Sequence, residues 1–423
     1  MPDTLAPRAV QLMPPVSVSP TLAADALAHA RRQQGQETYH MGFGQAPFPA
    51  PKRLIDAMQT HAHEKGYLPV AGLPELRRAV IRHQHRLLGT DMDGVDVLVA
   101  PGSKLILYAV QMAVTGDLLL PTPSWVSYAP QAAMLGQKTI AVPSEQTDAG
   151  YLISGETLAR AIRDARAAGK NPTKLLLNYP NNPTGLSIPD TLMQEIAQVC
   201  IDQGIVIIAD EIYGRLAFEG PYRSISAYAP EHTVVTTGLS KHLSVGGWRL
   251  GVGVIPKSIG GLFDVLSGIA SETWSCVAAP IQIAAIEAYE GHDDIENFIS
   301  DCSKIHAAVT RYIASSLRAI GADCVDAQGG FYLWPDFAPI ANYGASTTLS
   351  HDLITQAGVV TLPGLAFGED PAVLRLRLSA CDYDGADALA VLHGSEGRIT
   401  PEDVPRFAPR IPLAMSALKQ FFD

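Results

Sequence analysis

Lys241 is the residue with the strongest claim to chemistry. It stands within Thr236–Gly253, TTGLSKHLSVGGWRLGVG, where glycines and small polar residues break an apolar pattern. Thr233, Val234 and Val235 read as a buried strand before the break, and the run from Trp248 to Val254 reads as a strand after it. On its own, a loop lysine is ordinarily a solvated surface group. Held between two rigid apolar strands, it is desolvated; this lowers its pKa and makes it a usable amine nucleophile. Arg249, eight residues on, is placed to hold an anion near that amine.

Other residues of chemical interest fall where apolar runs end. Val95–Ala100 leads into Pro101-Gly102-Ser103-Lys104 and an apolar helix. A glycine turn at a helix N-terminus offers free N–H groups and a positive dipole end to an anion such as phosphate; an ordinary capped helix looks the same. Asp117–Leu120 leads to Trp125, an aromatic able to stack on a flat heterocycle or simply to pack between sheet and helix. Lys174–Asn178 leads to Asn178-Tyr179-Pro180-Asn181-Asn182-Pro183-Thr184-Gly185, and Ile205–Ala209 to Asp210-Glu211-Ile212-Tyr213. Opposite a protonated ring nitrogen, a poorly solvated Asp210 makes a strong charge-assisted bond. Capping a helix is its structural alternative.

The elements that must position these residues are legible as a pattern. Between 95 and 255 short apolar runs, closing with Lys138–Val142, Thr233–Thr237 and Arg249–Ile255, alternate with amphipathic segments such as 155–168 and 189–203. Unbroken apolar strands separated by helices predict a mostly parallel sheet covered by helices on both faces. Chemistry in such α/β sheets collects at the carboxyl ends of strands. Further helices are predicted at 19–34, 52–65, 73–88, 257–271 and near 347–357, with a helix-rich stretch over 276–320. His83 and His85 on helix 73–88 lack ligand partners at metal spacing and are expected to be exposed, so no metal site is predicted.

Asn182-Pro183-Thr184-Gly185, Asp210-Glu211-Ile212-Tyr213, and Ser240-Lys241 with Gly247-Trp248-Arg249-Leu250-Gly251 together resemble the class I/II aminotransferases that depend on pyridoxal phosphate, of fold type I and like the aspartate aminotransferases. The similarity runs from about Ser19 to about Ala380 and takes in Tyr67–Arg77, Gly330-Phe331-Tyr332 and Arg377-Leu378-Ser379. It implies that Lys241 forms the Schiff base with the cofactor and acts as general base. Asp210 would keep the pyridine nitrogen protonated, Tyr213 and Asn182 would bond the ring hydroxyl, and Trp125 would lie on the ring. Gly102, Ser103, the Lys104 backbone, Ser240 and Arg249 would hold the phosphate. Arg377 would clamp the substrate carboxylate near Gly44 and Asn182, because a guanidinium fork matches a carboxylate. Tyr67 would reach the phosphate of the partner subunit, making a homodimer with shared active sites. The implied reaction moves an amino group between an amino acid and a 2-oxo acid. Carbon–sulfur lyase or decarboxylase activity on the same cofactor is the rival reaction, and a cofactor-binding regulator without turnover is the rival class.

Two departures from the resemblance stand out. Gly238 occupies a position where many relatives carry serine, leaving Thr236 or Thr237 as alternative phosphate hydroxyls. Residues 381–403 replace a single closing helix, and Pro401, Pro405, Pro409 and Pro412 are expected to interrupt the rest of the tail, which serves as extra packing on a small lobe. At 423 residues two lobes are expected: a flexible arm over 1–18, a large cofactor-binding domain over 52–291, and a smaller α/β domain from 19–51 with 292–423. A net charge of −11 with scattered cations argues against nucleic acid and anionic membranes as partners. Apolar runs are strand-sized, and the N-terminus has no signal-peptide pattern. Five cysteines without CxxC spacing read as buried or free thiols of a reducing cytoplasm.

Overall fold

The apolar runs form one seven-stranded sheet in the computed structural model, which describes residues 18–89, 91–147 and 150–423. The expected arm, apart from Val18, lies outside the described residues. The strands are β1 (Val95–Ala100), β2 (Asp117–Thr122), β3 (Thr139–Pro143), β4 (Pro172–Asn178), β5 (Val206–Asp210), β6 (Thr233–Gly238) and β7 (Gly251–Pro256). Their order is β1-β7-β6-β5-β4-β2-β3. β7 runs antiparallel to both neighbours, and the other pairings are parallel. Successive side chains point to opposite faces, and both faces are covered. Leu119, Leu175, Ile207 and Val235 enter one apolar core. Leu118, Leu176, Ile208 and Val234 enter another on the opposite face. This is why the runs are unbroken instead of alternating.

The predicted elements shift at their ends for local reasons. β7 starts at Gly251 and not at Trp248, because Arg249 adopts φ +53 and cannot continue a strand. The helix expected at 257–271 begins at Leu262, after Gly261 caps it at φ +77. The helix expected at 52–65 stops at Thr60, where the apolar pattern gives way to His61-Ala62-His63-Glu64-Lys65.

A third core gathers the two chain ends. The 27-residue helix Asp293–Ala319 packs with Tyr39, Met41 and Phe48, and with a three-stranded antiparallel sheet of Tyr332–Leu333, Leu376–Ser379 and Leu362–Pro363. Tyr39–His40 pairs in parallel with Val359–Val360. The tail completes this core through Leu392, Val404, Phe407, Ile411, Ala414 and Leu418. Its prolines open elements and do not interrupt them. Pro401 and Pro405 occupy first turns, Pro409 caps the closing helix Arg410–Phe422 and Pro412 lies in that helix's first turn. Among the described residues no helix is long and apolar enough to cross a membrane. All five cysteines are free.

Candidate active site

The carboxyl ends of β1, β2, β4, β5 and β6 face one cavity of about 430 Å3. Because β7 is antiparallel, its first residues lie at the same edge: Gly251 pairs with Ala100 on one side and Gly238 on the other. Ser103, Lys104, Trp125, Asn182, Asp210, Tyr213, Ser240, Lys241, Arg249, Arg377 and Gly44 all line this cavity. Gly102 lies just behind it, capping the helix Ser103–Ala113. Tyr67 is not brought to the cavity; it is 97% exposed. Asp210 is the sole acidic residue among the lining residues, against the cations Lys104, Lys241, Arg249 and Arg377, so the cavity suits anions.

Lys241 follows β6 and is part-buried; its Nζ donates to the Gly44 carbonyl at 2.6 Å. Burial lowers its pKa to about 8. Asp210 ends β5 and is 3% exposed. Burial raises its carboxyl to about 6, opposed by the Tyr128 hydroxyl that donates to Oδ2 at 2.7 Å. Its other oxygen, Oδ1, is buried with no hydrogen-bond partner among the described residues. An unpartnered buried carboxylate oxygen in a cavity calls for a cationic N–H.

The anion cradle is built from glycines. Gly102 has φ +91, and a Cβ there would lie 2.1 Å from Arg249 Nη2. A Cβ on Gly251 would lie 2.2 Å from the Ser103 amide nitrogen. These two glycines bring Arg249 and the first turn of Ser103–Ala113 together, so that a guanidinium and a helix N-terminus face one spot. Gly238 is also required by packing, since a Cβ would meet the Leu250 carbonyl at 2.6 Å. Neither Thr236 nor Thr237 replaces the missing hydroxyl: neither lines the cavity, and Thr237 Oγ1 donates to the Glu211 carbonyl at 3.4 Å.

Arg377 is fully buried, and its hydrogen bonds among the described residues go to no carboxylate. Nη1 donates to Asn182 Oδ1 at 3.0 Å and Nη2 to the Gly42 carbonyl at 2.6 Å, while Nε has no partner. The guanidinium lies 4.4 Å from the centre of the Tyr332 ring and 5.1 Å from that of Phe367. Asn182 accepts from Arg377, so its amide N–H groups remain for the cavity. The Tyr213 hydroxyl donates to that of Tyr332 at 3.1 Å.

Several cavity residues were not singled out from the sequence. Tyr128 was not assigned a role, although a hydroxyl three residues past Trp125 beyond a strand tip was a usable signal. Asn178 donates to the Asp210 carbonyl at 2.7 Å and accepts from the Asn182 amide at 2.9 Å. Ser19, Thr21 and Leu22 reach the cavity from the first helix, and no local signal ties them to it. Phe43 and Tyr332 line the cavity, whereas Tyr39 is buried in the third core. His83, expected to be exposed, is 7% exposed: it packs edge-on against Tyr289 and lies 3.3 Å from an Arg215 nitrogen. His85 is exposed as expected. No His, Cys, Asp and Glu cluster suited to a metal occurs among the described residues.

This donor set fits pyridoxal 5'-phosphate: an orphaned carboxylate oxygen for a ring N–H, an amine of lowered pKa for an aldehyde, and a glycine-lined cradle for a phosphate. Residues 37–391 match the family described as aminotransferase class I and II. An aspartate aminotransferase of Bacillus sp. (strain YM-2) is 30% identical over 390 residues, covering 89% of this chain and 95% of the relative. A probable aspartate/prephenate aminotransferase of Aquifex aeolicus is 31% identical over 384 residues, covering 88% and 93%. The solved structure of aspartate aminotransferase from Thermus thermophilus with maleate superposes with a TM-score of 0.82 at 25% identity, covering 96% of this chain and 97% of that one. A match over most of the length, joined to a cavity with the chemistry the cofactor needs, makes this chain a member of the class I and II aminotransferases, a transaminase working with pyridoxal 5'-phosphate.

Proposed function

We propose that this transaminase takes an acidic amino acid as donor and a 2-oxo acid as acceptor. The observation that carries the reading is the buried Arg377 guanidinium, whose hydrogen bonds among the described residues go to neutral oxygens and which faces the same cavity as Lys241 and Asp210. A buried cation of this kind is stabilised by an incoming carboxylate. Of the remaining cations, Arg249 belongs with the phosphate cradle and Lys241 with the cofactor aldehyde. Lys104 is then free at the cavity mouth, its Nζ 4.8 Å from the centre of the Trp125 ring, for a second carboxylate. The relatives named aspartate aminotransferase support the same choice.

When bound, the cofactor supplies the electron sink that acidifies the substrate Cα–H. The residues of the chain do the rest. Asp210, whose Oδ2 accepts from the Tyr128 hydroxyl, would pair with the ring nitrogen and keep it protonated. Arg377 fixes the α-carboxylate, and with it the direction of the Cα–H bond. Lys241 would take the α-proton on its Nζ as general base and return it on the cofactor side, its amine being partly neutral near pH 8. Asn182 and Tyr213 would hold the ring hydroxyl, Trp125 would pack against the ring, and Gly102, Ser103, Lys104 N–H, Ser240 and Arg249 would hold the phosphate.

The same reading makes 52–291 the larger domain, and 19–51 with 292–423 the smaller. The separation of the sheet cores from the core shared by the chain ends supports it. Tyr67, exposed on this chain, is read as a contact with the active site of a second copy in a homodimer. Free cysteines support a reducing cytoplasm.

The test is single turnover of the holoenzyme with L-aspartate, L-alanine and other donors, without acceptor. L-Aspartate should be converted to its 2-oxo acid with stoichiometric amination of the cofactor. Lys104→Met should lower its kcat/KM about fivefold, the worth of one charge pair of about 1 kcal/mol, and spare L-alanine. Equal loss for both donors would refute the role of Lys104. Turnover that leaves the cofactor unaminated would refute transamination.

A further inference from the structure

Asp382 lies outside the cavity, 14% exposed, at the point where four separate segments of the chain meet. Its Oδ2 accepts from the His40 amide at 2.9 Å and from Arg410 Nε at 3.2 Å, and its Oδ1 from Arg32 Nη2 at 3.2 Å. Arg32 comes from the first helix and Arg410 opens the closing helix. Both arginines also donate to the Thr38 carbonyl, and Arg410 to Glu37. Two cations and one carboxylate therefore grip the backbone from Thr38 to His40.

That grip ends where the site begins. The Met41 carbonyl accepts from the Ser379 amide at 2.7 Å. The next carbonyls on the segment are the ones that hold the two cations of the reaction: Gly42 accepts from Arg377 and Gly44 from Lys241. A Cβ on Gly42 would lie 2.9 Å from Val360, so the segment sits against its neighbouring strand without slack. Asp382 itself follows the strand that carries Arg377, five residues on. It thus ties both partners of the Arg377–Gly42 hydrogen bond, one through His40 and one through its own strand.

We propose that Asp382 is a positioning residue for transamination. It fixes His40–Gly44 so that the Gly42 carbonyl holds Arg377 in the orientation that grips the substrate carboxylate, and through Arg410 it makes that orientation depend on the tail helix. The inference rests on the reading of Arg377 as the carboxylate clamp. It gives residues 381–423 a part in substrate binding that packing alone does not require. None of these bonds involves Gly102, Ser103 or Arg249, so the hold on the phosphate and the hold on the substrate separate under mutation.

The experiment compares Asp382→Asn, Arg410→Gln, Arg377→Ala and the Arg377→Ala/Asp382→Asn double variant as holoenzymes with L-aspartate in single turnover. β-Alanine, which is aspartate without its α-carboxylate, serves as a competitive inhibitor. Asp382→Asn should weaken L-aspartate binding about tenfold, a loss on the scale of one charge-assisted hydrogen bond. The limiting rate, the cofactor absorbance and the β-alanine inhibition constant should stay near those of the unchanged chain. Arg410→Gln, which leaves the carboxylate and its bond to His40 in place, should show the same selective loss at smaller size, and it decides the matter if Asp382→Asn does not fold. In the Arg377→Ala background, Asp382→Asn should cost nothing further. Normal aspartate binding in Asp382→Asn and Arg410→Gln, an equal loss for β-alanine, or additive losses in the double variant would overturn the proposal. Arg377→Ala that binds L-aspartate normally would overturn the clamp itself, and the inference with it.

Discussion

The pKa of the free Lys241 amine can be read directly in the protein stripped of cofactor. Burial lowers it from 10.5 to about 8. At pH 7 a lysine titrating at 10.5 is neutral in about 0.03% of molecules, and one titrating near 8 in about 9%, roughly a three-hundredfold difference in reactive amine. The sign follows from the desolvation of the charged form, which neighbouring Cys381 and Asp210 only partly offset. Competitive labelling tests it. The apoprotein is treated with trace acetic anhydride across pH 6 to 11, and acetylation of the Lys241 peptide is compared with that of exposed lysines by mass spectrometry. Labelling of Lys241 should rise with pH and level off above about 8, whereas a solvated lysine goes on rising to about 10.4. A Lys241 curve that tracks the exposed lysines to pH 10 would refute the desolvation argument, whatever the enzyme's activity.

Two further perturbations probe the other ends of the site. Asp210→Ala should leave the cofactor attached to Lys241 but lower kcat at least about a hundredfold, the usual contribution of a positioned ionic or proton-handling group; an unchanged kcat would remove Asp210 from the reaction. Gly251→Ala places a methyl 2.2 Å from the Ser103 nitrogen and 2.4 Å from the Gly102 carbonyl carbon, backbone atoms that cannot swing aside. It should weaken cofactor binding by about 1–3 kcal/mol in a titration of apoprotein, the ordinary cost of overpacking, whereas Gly268→Ala, in open space, should not.

The site residues on strand ends were legible because a parallel sheet leaves little freedom. Once Lys174–Asn178 and Ile205–Ala209 read as buried strands, Asn182 and Asp210 had to emerge near the same edge. The first helix was legible as a helix but not as a wall of the cavity. Ser19 and Thr21 arrive there because Ala24 and Ala28 pack against Trp334, Val360 and Phe367, contacts more than three hundred residues distant in sequence. His83 is a case where residue type misled and spacing did not. It stands three residues after Val80 and four before Leu87, on the face that buries Leu76, Ala79 and Val80, and there it packs against Tyr289 and Arg215. The tail was legible only as an anomaly, since nothing local shows that prolines open its helices against a core gathered from both chain ends.

The phosphate cradle shows what register adds to motif. In sequence, Pro101-Gly102-Ser103-Lys104 and the stretch from Gly238 to Gly251 are separate signals, and the first is weak by itself. Pairing β7 between β1 and β6 sets Gly251 opposite Ala100 on one side and Gly238 on the other. Each glycine then removes one obstacle: Gly238 admits the Leu250 carbonyl, Gly251 admits the Ser103 amide, and Gly102 admits the Arg249 guanidinium. Arg249 can turn towards Gly102 only because it leaves the strand at φ +53, the same departure that displaced the start of β7 from its expected position. The misplaced strand boundary and the anion site therefore have one cause. A strand continued through Arg249 would point its side chain along the sheet normal, and the helix N-terminus would face the cavity without its cation.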